Sequence, residues 1–289
     1  ILVEDDTVGR LRFLGTASGI PTKKRFSQTL IVESSHSSEC IILDPSDGAS
    51  GLLMKHDIDH NQVKAMFVTH MHGDHFLGIF HLVKSMQILA RKKLLEVYVP
   101  LEGLSITRAL LDAMYLDDRI LRFPIEIKPI VEESTKSTWT SEPFPFYHSS
   151  EYQVWAYNNR HLLRQKEQVD PMIFAHTFES YCFVLEVDAV RIGYSGNVAK
   201  PQELIPLVTH SDIIVTEVAH TDLEGLFSVL SLAGDKPVIL THYHPKFDSA
   251  DSLFRHLAAK HGISNLVLVE DGDTYTFGSV KTCGNKSRG

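Results

Sequence analysis

"FVTHMHGDHFLGIFHLV" (residues 67–83) sets His70, His72, Asp74 and His75 at the point where a strand-like apolar run stops and before a second one begins. Alternation along a strand puts His70 and His72 on one side. Gly73 predicts a sharp backbone bend that returns Asp74 and His75 toward the same point. Imidazole nitrogens and a carboxylate oxygen suit Zn²⁺, Mn²⁺ or Fe²⁺. The alternative is a loop of unrelated polar side chains. Imidazoles crowded at a core edge, however, repel one another when protonated, and a shared cation removes that conflict.

Working outward, short apolar β-branched runs recur with turn residues between them. The pattern predicts strands in "RLRFLG", "QTLIVES", "CIILDPS", "AMFVTH", "LEVYVP", "YQVWAY", "YCFVLEV", "RIGYSG", "IIVTEV", "PVILTH" and "NLVLVED". Helical spacing marks "HFLGIFHLVKSMQILARK", "SITRALLDAM", "PQELIPLV" and "DSLFRHLAAKHG", the last closing on a C-cap glycine. "VEESTKSTWTSEPFPF" (131–146) reads as a loop, and the tail at 279–289 as frayed. The order of elements predicts an α/β protein with two sheets and helices outside, in one domain spanning 1–289 with its core at about 10–278. "MFVTHMH" (66–72) and "VILTHYH" (238–244) echo each other, as strand ends pooled at one site would.

The chain has 289 residues, 43% hydrophobic and 22% charged, within the usual globular range. A net charge of −8 argues against a protein that works by blanketing nucleic-acid phosphates. Cys40, Cys182 and Cys283 lie far apart without a C-x-x-C pair, which fits a reducing compartment better than a disulfide framework. No stretch reaches the roughly 20 apolar residues of a membrane span. The opening has no basic segment before an apolar one, so a cytoplasmic location is expected.

H-x-H-x-D-H after an apolar strand resembles the signature of the metallo-β-lactamase superfamily, and further stretches resemble its tRNase Z-like branch. These are "FLGTASGIPTKKR" (13–25), "CIILDPSDG" (40–48) with Asp44, "RIGYSGN" (191–197) and "VILTHYHP" (238–245). The resemblance covers roughly residues 10–275 and implies a four-layer αβ/βα sandwich with metals at the strand ends. It assigns His70, His72 and a mid-chain histidine to one ion, and Asp74, His75 and a late histidine to the other. His242 is the late ligand, with His244 in reserve; His161 is the middle one, with His176 in reserve and His148 behind it. The implied cofactor is zinc, one ion or two, with Mn²⁺ or Fe²⁺ also suited.

One position departs from the family. Asn197 stands where relatives carry an aspartate that bridges the metals. A neutral amide is the poorer ligand, so the second site weakens, the centre works with a single ion, or the chain binds a ligand without turnover.

The resemblance implies hydrolysis by water activated at the metal, with Asp74 orienting the nucleophile and Glu217 and His220 in "TEVAH" (216–220) protonating the leaving group. Lys23, Lys24 and Arg25 are expected to clamp a phosphate. Lactams and thioesters need no cationic loop, so phosphodiesters are favoured. Residues 99–147 are neither basic nor Gly-rich, unlike a tRNA-gripping arm, which favours a small or cyclic nucleotide over an RNA 3′ end. The alternatives are a lactone or carboxyl-ester hydrolase, a mono-iron oxygenase, or a ligand-binding module. Relatives of this kind also lead one to expect a homodimer.

Overall fold

A computed structural model describes residues 8–117, 119–131, 143–170 and 176–278. The first half runs β1 (Gly9–Gly15), β2 (Thr29–Glu33), β3 (Cys40–Leu43), α1 (Ala49–Lys55), β4 (Val63–Phe67), α2 (Gly73–Phe76), α3 (Gly78–Ile88), β5 (Leu95–Val99), α4 (Leu104–Ala113) and β6 (Ile125–Pro129). The second half begins with β7 (Phe144–His148), β8 (Tyr152–Asn158), α5 (Leu163–Lys166), β9 (Tyr181–Val187), β10 (Val190–Tyr194) and α6 (Ile205–His210). It continues through β11 (Ile213–Glu217), α7 (Leu223–Leu230), β12 (Val238–Thr241), α8 (Asp251–His261), β13 (Leu266–Leu268) and β14 (Asp273–Phe277).

The strands form two seven-stranded sheets, ordered β14-β1-β2-β3-β4-β5-β6 and β13-β12-β11-β10-β9-β8-β7. Period-2 alternation sorts their side chains into layers. In β4, Ala65 and Phe67 join the core between the sheets, while Met66 packs in the cluster with α1 and α3. In β9, Phe183 and Leu185 face that central core, and Cys182 and Val184 face α6, α7 and α8. A central strand buried on both faces therefore reads as a continuous apolar run. Each large side chain such as Phe183, fully buried, contributes about 1.5–3 kcal/mol by leaving water. The four layers expected from the resemblance are present.

Three strands escaped the sequence reading. β7 occupies the end of the stretch read as a loop; the remainder of that stretch, 132–142, lies outside the described residues, as do the tail and Cys283. β6 and β7 contain Pro129 and Pro145 and close the two sheets at their edges, where proline is tolerated. β14 pairs antiparallel with β1 across the far end of the chain. α8 follows its reading: Phe254, Leu257 and Ala258 are buried on one face, and Gly262 ends the helix at φ +71°. Cys40 and Cys182 are free and buried, and burial pushes both thiols up. Among the described residues no helix is long and apolar enough to cross a membrane.

β3 and β4 are parallel, as are β10, β11 and β12. β8 and β10 each run antiparallel to β9, so they share a direction. The C-terminal ends of β3, β4, β8, β10, β11 and β12 meet at one edge of the sandwich, and Asp44, His70, His161, Asn197 and His242 lie just beyond them.

Candidate metal centre

β4 continues through Val68 and Thr69 into His70, and the chain then enters α2. Gly73 is helical and adopts no left-handed conformation. The expected glycine bend is thus replaced by a helix start: His72, extended at φ −67° and ψ 144°, is followed directly by the first turn carrying Asp74 and His75. Around this site the left-handed non-glycine residues are instead Asp44 (φ +50°) and His242 (φ +55°). Non-glycine residues seldom adopt this conformation, and it clusters at functional sites.

Two donor groups gather the expected ligands, each with its ligating atoms within 4.8 Å of one another: His70, His72 and His161, and Asp74, His75 and His242; a third, Glu217, His220 and His242, shares His242 with the second. His70 Nε2 and His72 Nδ1 are 2.9 Å apart. Asp74 Oδ2 lies 3.2 Å from His75 Nε2 and 3.7 Å from His242 Nε2. The groups adjoin, with the His70 and His75 ring centroids 4.2 Å apart. A proton shared by His70 and His72 leaves His161 Nε2, buried and without a hydrogen-bond partner, unsatisfied; a cation satisfies all three nitrogens. These donor sets fit a borderline divalent ion such as zinc.

The scaffold behind the rings aims them. Asp44 is fully buried and accepts from the Thr69 amide (2.7 Å), the Thr69 hydroxyl (2.9 Å), His75 Nδ1 (2.8 Å) and the Tyr194 hydroxyl (2.8 Å). His70 Nδ1 lies 3.0 Å from Thr69 Oγ1, which accepts its proton while donating to Asp44. Both rings therefore turn Nε2 inward, as histidine ligands backed by a carboxylate do. Tyr194 arrives because Gly196, at φ +53°, brings the Y-S-G-N turn against Thr69; a Cβ there would stand 2.8 Å from the threonine methyl. Sequence reasoning missed Tyr194 and Thr69 as partners, although both sit inside the stretches that carry the resemblance. It also missed Gly19, where a Cβ would lie 3.3 Å from Asp74 Oδ2.

Charge follows this wiring. Burial and neighbouring imidazoles hold His70 well below its ordinary pKa, and the same causes bring His161 down to about 2. His72 and His242 are lowered as well, chiefly by burial. His75 is opposed by its burial, yet Asp44 and Asp74 raise it to about 10. Burial works against Asp74 too, but its bonds to His242 and His75 keep it ionised far below the usual carboxylate range. A pH dependence of the metal-free protein follows. For the four depressed imidazoles the unfolded chain binds more protons below about pH 6.5, so their contribution is lost as pH falls through that value. His75 acts in the other window, its contribution complete below about 6.5 and lost as pH rises toward 10. Urea midpoints of metal-free protein are expected to peak near neutrality and to fall by pH 5; a flat profile from 5 to 7 would contradict this wiring.

The remaining expected residues divide. His161 enters the first group because Asn159 Oδ1 accepts its amide at 3.0 Å, just past β8. His176 does not: it is 60% exposed, with Nδ1 3.7 Å from Glu102. His244 instead caps a short 3₁₀ turn by accepting from the Lys246 amide, and exposed His148 belongs to β7. Asn197 is buried beyond β10, and its Oδ1 has no hydrogen-bond partner. Glu217 is buried at the end of β11; its Oε2 accepts from the amides of Ala219 (2.6 Å) and His220 (2.9 Å) and lies 3.2 Å from His220 Nδ1. Burial pushes Glu217 up, but these bonds hold it below the usual range. The His220 ring stands over both groups, 4.8 Å from His161 and 5.4 Å from His242.

Lys23 and Lys24 are exposed, but Arg25 departs from the expected clamp. It is 4% exposed, donates to Thr16 Oγ1 (2.6 Å) and Val269 O (2.8 Å), and stacks on Tyr243 at 4.2 Å. Guanidinium planarity suits that role as well as phosphate binding. Arg25→Ala is expected to cost about 2–3 kcal/mol in urea unfolding with KM unchanged; normal stability with a raised KM would reverse this assignment.

A ribonuclease Z from Prochlorococcus marinus is 32% identical over 120 residues, covering 42% of this chain and 38% of that protein. The chain thus spans well under half the length of the first curated relatives it matches. Two crystal structures share the fold at a TM-score of 0.67: the short form of human tRNase Z (17% identity, 92% of this chain, 98% of that one) and the metallo-β-lactamase fold protein YhfI from Bacillus subtilis (14%, 93% and 100%). The family model described as "Anti-Pycsar protein Apyc1" matches residues 9–264. Nearly the whole described sandwich falls within that match, and the chain belongs to the Anti-Pycsar protein Apyc1 family, in the tRNase Z-like branch of the metallo-β-lactamase superfamily.

Proposed function

We propose that the protein is a metal-dependent hydrolase of phosphodiester bonds in small or cyclic nucleotides. The observation that carries this reading is the pair of adjoining donor groups with the Glu217–His220 pair standing over both. When bound, divalent cations polarise a phosphoryl oxygen and bring the pKa of water from 15.7 to about 7. Asp74, kept ionised by His75 and His242, orients the attacking water and takes its proton. Glu217 holds His220 Nδ1–H, leaving Nε2 to hand a proton to the departing oxygen. General acid–base assistance of this kind is worth about 10²- to 10⁴-fold.

Two sequence features support a small substrate. The net charge is −8, and the stretch 99–147 is neither basic nor Gly-rich, unlike an RNA-gripping arm. The ribonuclease Z relatives keep RNA as the competing substrate. Hydrolysis of cyclic nucleotides, bis-p-nitrophenyl phosphate and pre-tRNA with added Zn²⁺ or Mn²⁺ decides between them. Turnover of the first two is expected; cleavage of pre-tRNA alone would transfer the assignment to RNA, and silence on all three would remove it.

Asn197 bears on metal number. Asn197→Asp would put a carboxylate where the resemblance implies a bridging ligand and is expected to raise both metal stoichiometry and turnover. Unchanged values would mean that the amide suffices and one ion does the work.

A further inference from the structure

We infer that Gln165 is a positioning residue for the first cation: its side-chain oxygen accepts the Nε2 proton of His72 and so turns Nδ1 of that ring inward. This rests on the metal-centre reading above. His72 Nε2 lies 3.2 Å from Gln165 Oε1 and 3.1 Å from Gln165 Nε2. The amide could face the ring either way, and ring chemistry decides the orientation. His72 Nδ1 belongs to the inward face, 2.9 Å from His70 Nε2. A nitrogen that lends its lone pair to a metal carries no proton, so the neutral ring keeps its proton on Nε2. That N–H needs an acceptor, and the amide oxygen supplies it.

The same logic governs the neighbouring ligands. His70 is backed through Nδ1 by Thr69, and His75 through Nδ1 by Asp44. Both backing residues adjoin the first sheet. Gln165 differs because it sits on α5, a single helical turn in the connection from β8 to β9. That connection also delivers His161, so one excursion of the chain supplies a ligand and the partner that orients another. Partners of this kind typically change metal affinity 10- to 100-fold. Gln165 is exposed, so water competes for the ring proton and the lower end of that range applies.

The test is a Zn²⁺ titration against a competing chelator on purified Gln165→Ala, Gln165→Glu and unmutated protein, with far-UV circular dichroism confirming the fold. In Gln165→Ala one zinc equivalent is expected to weaken about tenfold while any second is unmoved, and Gln165→Glu, which restores an acceptor, is expected to recover it. ¹⁵N NMR of the histidines adds a signature that a purely structural role would not move: the His72 Nε2 proton exchanges faster with water in the alanine variant. Unmutated protein that takes up zinc, together with an alanine variant of equal affinity, would overturn this inference alone. Unmutated protein that takes up none would overturn the metal-centre reading and this inference with it.

Discussion

Asp74→Asn is expected to lower kcat for phosphodiester hydrolysis about 100- to 10,000-fold while leaving the fold intact. The substitution keeps shape and polarity but removes the charge that takes the proton. Asp74 is 18% exposed and sits at the start of α2, facing the cluster and not the core. The bonds that Asp44 makes to Thr69, His75 Nδ1 and Tyr194 do not involve Asp74 and hold the strand ends after its neutralisation. Stopped-flow or chromatographic assays at saturating metal, compared with circular dichroism of the same preparation, separate the two effects. A variant retaining more than a tenth of the activity would mean that the proton goes elsewhere. Glu217, itself held ionised beside His220, would be the first group to examine.

Asp44→Ala is expected to act through the scaffold. Asp44 and Asp74 bond to opposite nitrogens of the same His75 ring, yet their surroundings differ. Asp44 is fully buried, and its carboxylate gathers donors from Thr69, His75 and Tyr194, which belong to segments following β4 and ending β10. Removing it strands those donors without water, beside a buried imidazole that depends on the missing charge. Loss of one partner of a buried, hydrogen-bonded charge pair typically costs about 3–5 kcal/mol, and loss of zinc uptake should accompany it. Urea unfolding of metal-free protein measures the first effect. A shift below 1 kcal/mol would mean that the two sheets are joined at this edge by other contacts.

Much of this site was legible because its ligands are local. His70, His72, Asp74 and His75 fall within six residues, and the strand end and helix start that arrange them are short-range features. Even there the reading gave Gly73 a bend that the start of α2 makes unnecessary. His161 was separable from His176 only by tertiary placement: Asn159 brings one inward, while the other remains at the surface beside Glu102. Arg25 misled for a similar reason. A Lys-Lys-Arg run suggests a solvated cation, whereas its partners Tyr243 and Val269 lie more than 200 residues along the chain. Tyr194 and Gln165 act as hydrogen-bond partners of other groups, a role that residue type alone does not announce. The strands missed at the sheet edges have the matching cause. β6 and β7 are only partly buried, carry proline, and show no strict alternation of burial.

Two adjoining clusters gathered from both sheets are thus expected to hold divalent cations. Anomalous diffraction at the zinc edge from a zinc-soaked crystal tests it most directly. A peak is expected between His70 Nε2, His72 Nδ1 and His161 Nε2, and a second, weaker one among Asp74, His75 and His242. Zinc-soaked crystals with no peak at either place would contradict it.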